Sequence, residues 1–278
     1  MYPKIFKRLA LRTPVLKRVV GERDRLRNEI ANVSEELDRL CQERKTPIAG
    51  KNAGYCHCCK QETIFEIKGD WLRDQYLCLN CFSIPRQRHI QYVLDNFLKG
   101  WEKKKIHESS PSNDLISRYC TSYSFSQYFD GANEGSLVDG VRCENLESLS
   151  FPDCTFDIFI TQDVFEHIFD PERAAKEIMR VLKPGGVHVF TVPKHKGVTT
   201  SYPRAKMLGQ QVEYIMDAVY HGNPVGDGSA LVTWDYGDDF EDLINVWSNS
   251  TTTTYITRDR NIGIDGEFIE VFVTKKIA

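Results

Sequence analysis

No stretch of this 278-residue chain approaches the ~18 consecutive apolar residues of a membrane-spanning helix. A helical bilayer crossing is therefore not expected. The first ten residues carry Lys4, Lys7 and Arg8, but no long apolar region with a small-residue cleavage site follows. This speaks against secretion. Internal repeats and low-complexity tracts are missing apart from the threonine run at 251–254, so a solenoid is not expected. What remains, 41% hydrophobic and 27% charged residues, is the composition of an ordinary globular protein with one large core and small appendages.

Charge is unevenly placed. Through Arg27 the chain has nine basic residues and two acidic ones, a net of +7, and the overall charge of -3 leaves -10 for the remainder. A basic start of this kind suits acidic headgroups or nucleic acid, and equally a solvated helix face. From there Leu26, Ile30, Val33, Leu37 and Leu40 alternate steps of four and three among charged neighbours. Such a stripe is a short heptad seam, and it predicts a coiled-coil helix over residues 1–49 that makes a homodimer. The alternative is an amphipathic helix packed on its own domain.

Nine cysteines include two tight groups, Cys56-His57-Cys58-Cys59 and Cys78-Leu79-Asn80-Cys81. Two Cys-x-x-Cys knuckles, with eighteen residues between Cys59 and Cys78, have the spacing of a four-thiolate zinc ribbon. Cys56, Cys59, Cys78 and Cys81 are the expected ligands of a structural Zn2+ within a module at 50–84, with Cys58 and His57 as substitutes. Clustered metal-type cysteines without a secretory signal indicate a reducing cytoplasm, with the basic start at the inner membrane face.

Residues 85–278 alternate between the two periods. An amphipathic helix is predicted at 83–101, strands at 104–108, 122–129, 156–161 and 187–192, and a helix at 170–182 opened by Pro171 and closed before Gly185-Gly186. Strand, helix, turn and strand in that order predict a right-handed parallel crossover. Residues 251–256 and 268–274 are two further strands.

The motifs Cys143-Glu144-Asn145-Leu146, Phe151-Pro152-Asp153, Phe156-Asp157-Ile158, Phe165-Glu166-His167 and Arg180-Val181-Leu182-Lys183-Pro184-Gly185-Gly186 follow one another in family order and spacing. In them the chain resembles the class I S-adenosylmethionine-dependent methyltransferases, in particular the type 11 group. The resemblance implies a doubly wound, Rossmann-like α/β sheet in which 156–161 is the fourth strand, 187–192 the fifth, and 138–142 a short third. It implies that Glu144 accepts from the adenine amino group, that Asn145 lies beside the ring, and that Gln162 and Asp163 face the transferred methyl group. Glu108 aligns with the acidic residue that ends the first strand. Ser110 and Ser112 stand where that family has glycines, and serine can serve as a partner at the start of a following helix. Gln127, with Asp130 beyond it, is the candidate for the ribose.

Residues 194–239 are an insertion of the kind that carries substrate specificity. His195, Tyr202, Tyr214, Tyr220, His221, Asn223, Trp234, Asp235 and Tyr236 mix rings with polar groups, which suits a sugar. In-line methyl transfer needs alignment of nucleophile, carbon and sulfur rather than a divalent ion. For an alcohol acceptor, His167, His221 or Asp163 is the candidate base. The expectation is an O-methyltransferase acting on a glycan-related small molecule. An RNA methyltransferase is the alternative, which the acidic remainder disfavours, and a noncatalytic scaffold is the third reading.

Overall fold

The computed structural model describes residues 21–23, 25, 26, 29, 50–209, 211–222 and 228–277. The chain divides into two compact units, Met1–Ile48 and Ala49–Ala278. In the first, the six described residues are helical. Apart from Leu26, 47% exposed, the expected heptad seam lies outside the described residues.

The second unit begins with a three-stranded antiparallel sheet, β1 (Gly50–Cys56), β2 (Gln61–Ile67) and β3 (Tyr76–Cys78), with one helical turn, α1 (Leu72–Gln75), between the last two. Helix α2 (Pro85–Phe97) follows, shorter at both ends than predicted. Pro85 opens it, and the Gln87 side chain accepts from the Ile84 amide at 3.0 Å. The main sheet then runs through β4 (Lys105–Ser109), β5 (Ser122–Ser126), β8 (Phe156–Gln162), β9 (Leu182–Thr191), β16 (Thr251–Tyr255) and β17 (Val271–Lys275). Their order is β16-β17-β9-β8-β4-β5, with β5, β4, β8 and β9 parallel and β17 antiparallel to its two neighbours. This is a doubly wound, Rossmann-like sheet with a mixed edge.

The central strands are covered on both faces, which is why Ile158, Phe159 and Ile160 form an unbroken buried run. Helix α3 (Pro171–Val181) makes the crossover from β8 to β9. Asp170 caps it by accepting from the Arg173 amide at 3.0 Å, and Ala174, Ala175 and Ile178 are buried with Phe240 and Ile244 of α4 (Phe240–Ser248). On the other face Ile90, Val93 and Leu94 of α2 pack with Trp101, Ile106 and Val189. Among the described residues, no helix is long and apolar enough to cross a membrane.

Two expectations need correction. Residues 138–142 are no third strand of the sheet: β6 (Leu137–Val138) and β7 (Val141–Arg142) form a two-residue hairpin, turned at Asp139 and Gly140, both with positive φ. Among the described residues, one parallel bridge, Gln127 to Cys143, extends the sheet beyond β5. Nor does a helix follow β4. Residues 111–121 make turns held by Arg118 N to Asp114 O and Tyr119 N to Ile116 O, each 3.2 Å.

The cysteine module is docked on the sheet domain through buried arginine. Arg88, fully buried, donates from Nε to the Gly263 carbonyl and from Nη2 to the Tyr76 carbonyl, at 2.8 and 2.7 Å. Gly263 sits at φ 67°, and a Cβ there would come within 2.5 Å of the Phe65 ring. Glycine is what allows this approach.

Candidate functional site

The four predicted cysteines converge. Cys56 and Cys59 flank the β1–β2 turn, Cys78 ends β3 and Cys81 follows it, and their sulfurs lie within 4.8 Å of one another. Cys56 to Cys81 is 3.8 Å and Cys59 to Cys78 is 3.9 Å. A tetrahedral ion with ~2.3 Å sulfur bonds sets its ligands about 3.8 Å apart, so these separations fit one four-thiolate site. Burial, then the neighbouring Cys81 and Cys78, pushes the Cys59 thiol up to about 11. Four thiolates at that point need a cation. Cys58 is buried outside the group, and His57 instead bonds Asp95 at 2.9 Å.

The second cluster of polar groups gathers where the parallel strands end. β4 turns to β5 on one side while β8 lies on the other, so the strand order reverses between β4 and β8, the position at which such sheets bind ligands. Glu108 of β4 and Gln162 of β8 meet across it. Gln162 Nε2 donates to Glu108 Oε1 and the Tyr123 hydroxyl donates to Oε2, both at 2.7 Å. Burial pushes the Glu108 carboxyl up to about 7. Gln162 Oε1 is buried without a hydrogen-bond partner.

Ser110 holds φ at 55°, in the left-handed region that glycine favours, while its amide donates to Ser126 O at 2.8 Å. The backbone thus keeps a glycine conformation with a serine in place. Ser112 is exposed, and its hydroxyl accepts from Gln87 Nε2 and Asn113 Nδ2. Since no helix follows, Ser112 caps none. Gln127 is buried beside Pro111, toward whose carbonyl it points at 3.5 Å.

Glu144 is engaged by its own loop. Its carboxylate accepts from Arg142 Nε at 2.6 Å and from the Ser150 amide and hydroxyl at 2.9 and 2.6 Å, and the residue is 1% exposed. These bonds tie the carboxylate to the 144–150 loop. Asn145 closes an adjacent turn by accepting from the Glu147 amide at 2.9 Å.

Asp163 is likewise committed. It follows β8 at φ 52°, with Oδ1 accepting from Thr191 Oγ1 at 2.8 Å and Oδ2 facing Arg73 Nη2 at 2.5 Å and Arg86 Nη1 at 3.1 Å. Burial opposes its ionisation, but Arg86 and Arg73 outweigh it and hold the carboxyl below its ordinary value. A carboxylate paired with two guanidiniums is a poor base, which weighs against Asp163 in that role. Arg73, from α1, and Arg86, from α2, were not anticipated. Arg73 reaches Asp163 only because the cysteine module docks here, which no local pattern in the sequence encodes.

His167 and His221 do come together, with ring centroids 5.2 Å apart and planes at 88°. Glu166 lies beside both. It is 2% exposed, and burial followed by the charge of Asp163 pushes its carboxyl well above the ordinary range. The signal for Glu166 was a carboxylate inside the apolar run 164–169. His221 comes from the insertion, which is built of small antiparallel pairs: β10 (Tyr202–Pro203) with β15 (Trp234–Asp235), β11 (Ala205–Leu208) with β12 (Gln211–Tyr214), and β13 (Tyr220–Gly222) with β14 (Ser229–Leu231). Tyr236 is fully buried, with its hydroxyl on Phe165 O, and Trp234 stacks on it, so these two rings build the core rather than line a site. Asp235 pairs with Arg204 at 2.6 Å and His195 at 3.6 Å. Tyr214 is exposed, and Asn223 lies outside the described residues.

Residues 115–190 match a family model described as a methyltransferase domain. A 53-residue stretch is 38% identical to a protein of Mycolicibacterium smegmatis named "Probable S-adenosylmethionine-dependent methyltransferase", covering 19% of this chain and 21% of that one. Over 97 residues the chain is 28% identical to an uncharacterised 37.1 kDa protein in a transposon of Streptomyces fradiae, covering 35% and 28%. It spans less than a third of the length of these relatives. Among solved structures, an S-adenosylmethionine-dependent methyltransferase from Mesorhizobium loti is similar with a TM-score of 0.44 and 13% identity, over 67% of this chain and 97% of that one.

Proposed function

We propose that this chain is an S-adenosylmethionine-dependent methyltransferase that O-methylates a sugar or glycan-related small molecule, with a structural zinc in its four-cysteine module. The observation that carries the cofactor reading is the strand-order reversal between β4 and β8, with Glu108 and Gln162 across it and Gln162 Oε1 left unpartnered. A buried acceptor without a donor, beside a carboxyl, fits the ammonium of an amino acid tail. The methyltransferase-domain match over 115–190 supports the same reading.

The residues that would hold the cofactor are Glu108, Gln162 and the backbone at Ser110, with Gln127 and Asn145 at the neighbouring strand end. When bound, the sulfonium supplies an electrophilic methyl group. The protein's own task is to align an acceptor oxygen with it and to favour loss of the hydroxyl proton. Asp163 is spent on two arginines, so the groups left for that task are Glu166, His167 and His221. The sugar reading rests on the insertion, where Tyr202 pairs with Asp235 across β10 and β15, His195 lies 3.6 Å from Asp235, and Tyr220 precedes His221 on β13. Rings can cover the apolar face of a pyranose while the polar groups take its hydroxyls.

Titration calorimetry with S-adenosylmethionine and S-adenosylhomocysteine tests this. Binding of both, weakened by Glu108→Ala, is the expected outcome. Absence of binding at millimolar concentration by the folded chain would favour the scaffold reading. Metal analysis of chain purified without chelators should give at least one zinc, with one fewer in Cys78→Ser.

A further inference from the structure

Glu166 presents a physical difficulty. It sits in the short 3-10 turn Phe165–His167 after β8, 2% exposed, and neither carboxylate oxygen has a hydrogen-bond partner. An ionised carboxylate buried in that state costs several kcal/mol, and protonation would still leave acceptors unpaired. Two imidazoles face it. His167 Nε2 is 3.9 Å from Glu166 Oε1, and His221 Nδ1 is 4.0 Å from the same oxygen. Both distances are too long for hydrogen bonds.

The tautomer of His167 is fixed by its other nitrogen. Nδ1 contacts the Leu231 carbonyl at 2.8 Å, and a carbonyl can only accept, so Nδ1 carries the proton. The Nε2 lone pair is therefore turned toward Glu166 and His221. An imidazole locked by a backbone carbonyl on one side, with its lone pair on the other, is the arrangement found in metal-bound histidines. Arg73 and Arg86 pair with Asp163, and an ionised Glu166 supplies the second negative charge that balances the two guanidiniums before a cation binds.

The geometry points to Glu166, His167 and His221 as the ligands of one divalent transition-metal ion, separate from the four-cysteine site. One ligand atom from each lies within 4.8 Å of the others. Bonds of ~2.1 Å at tetrahedral or octahedral angles need spacings of about 3.0–3.4 Å, so the atoms must close by roughly an ångström. His221 can supply that movement, because its side chain is 45% exposed on the three-residue strand β13. Two imidazoles and one carboxylate suit zinc, manganese, iron(II), cobalt or nickel better than calcium or magnesium. Three protein ligands leave positions open for oxygen, and an acceptor hydroxyl there would become more acidic. That last role rests on the methyltransferase reading, whereas metal binding does not. It also departs from the expectation that methyl transfer here needs no divalent ion.

Manganese is the probe, because a hard ion does not displace zinc from four thiolates. The full chain, with zinc in its cysteine site, is titrated with MnCl2 and followed by electron paramagnetic resonance without S-adenosylmethionine or acceptor. One Mn2+ per chain is expected. His221→Ala, an exposed position that should leave the fold intact by circular dichroism, is expected to bind at least tenfold more weakly, as is Glu166→Gln. His195→Ala should bind as the unaltered chain does. No bound manganese at about 1 mM, or unchanged affinity in His221→Ala, overturns the assignment. A chain that fails to bind S-adenosylmethionine but binds manganese in this pattern would sink the cofactor reading alone.

Discussion

The cysteine cluster and the strand-end cluster are both small groups of polar side chains, yet they are assembled in opposite ways. Cys56, Cys59, Cys78 and Cys81 sit on one hairpin and the strand after it, twenty-six residues from first to last. The strand-end cluster draws Glu108 from β4, Gln162 and Glu166 from β8 and its following turn, Arg73 from the cysteine module, Arg86 from α2, and His221 from the insertion. The first closes through local turns. The second exists only when three parts of the chain are docked, so damage to the first should spread to the second, and the reverse should not hold.

Cys78→Ser should have the largest effect. Removing one of four sulfurs costs several kcal/mol of metal-linked stability, a fall in melting temperature on the order of 10 °C for a domain of this size. It should also free Arg73 and Arg86 from Asp163. Circular dichroism melts with zinc analysis measure the first part. Amide exchange at 161–167 measures the second, and unchanged protection there would break the comparison.

Acid should come next. His89, His107 and His188 are buried neutral, and burial lowers their pKa values to about 4, 3 and 3 from 6.5. Their stability contribution is complete above pH 6.5 and is lost as pH falls through those values, at up to about 1.4 kcal/mol per pH unit for each. Glu108 acts in the other direction. Its raised value of about 7 means a contribution present below 4.5 and lost as pH rises to 7. Glu166, raised by burial and by Asp163, acts in the same direction as Glu108. Three histidines outweigh two carboxyls, so urea midpoints should fall between pH 6.5 and 5. A flat profile in that window would show the histidines to be solvated.

Asp163→Asn should cost about 3–5 kcal/mol, because it strands two mostly buried guanidiniums. It should leave zinc content unchanged. Lys176→Ala, which removes an exposed helical pair with Glu172, serves as control and should be silent in the same urea titration. The smallest effect is expected from Glu108→Gln: a modest gain in stability at pH 8, where the native carboxyl is ionised and buried, and none at pH 5. A gain of equal size at both would place the effect in packing rather than charge.

The sequence by itself determined what short-range rules control. Thiol spacing marked the four cysteines, Pro171 marked the start of α3, and apolar runs marked β8 and the second half of β9, although β9 begins at Leu182 and takes Gly185-Gly186 into the strand. The glycine-type backbone at Ser110 was legible through the family pattern. Tertiary structure decided which charges meet. Glu144 and Asp163 are carboxylates at expected positions, but whether each stays open depends on Arg142, Arg73 and Arg86, and Arg73 arrives from another module. The same holds for Trp234 and Tyr236, polar-tipped rings that the insertion folds into the core, and for Glu166, left unpartnered opposite an imidazole fifty-five residues away. Desolvation and pairing are set by everything packed around a group, and a local sequence window carries no record of that.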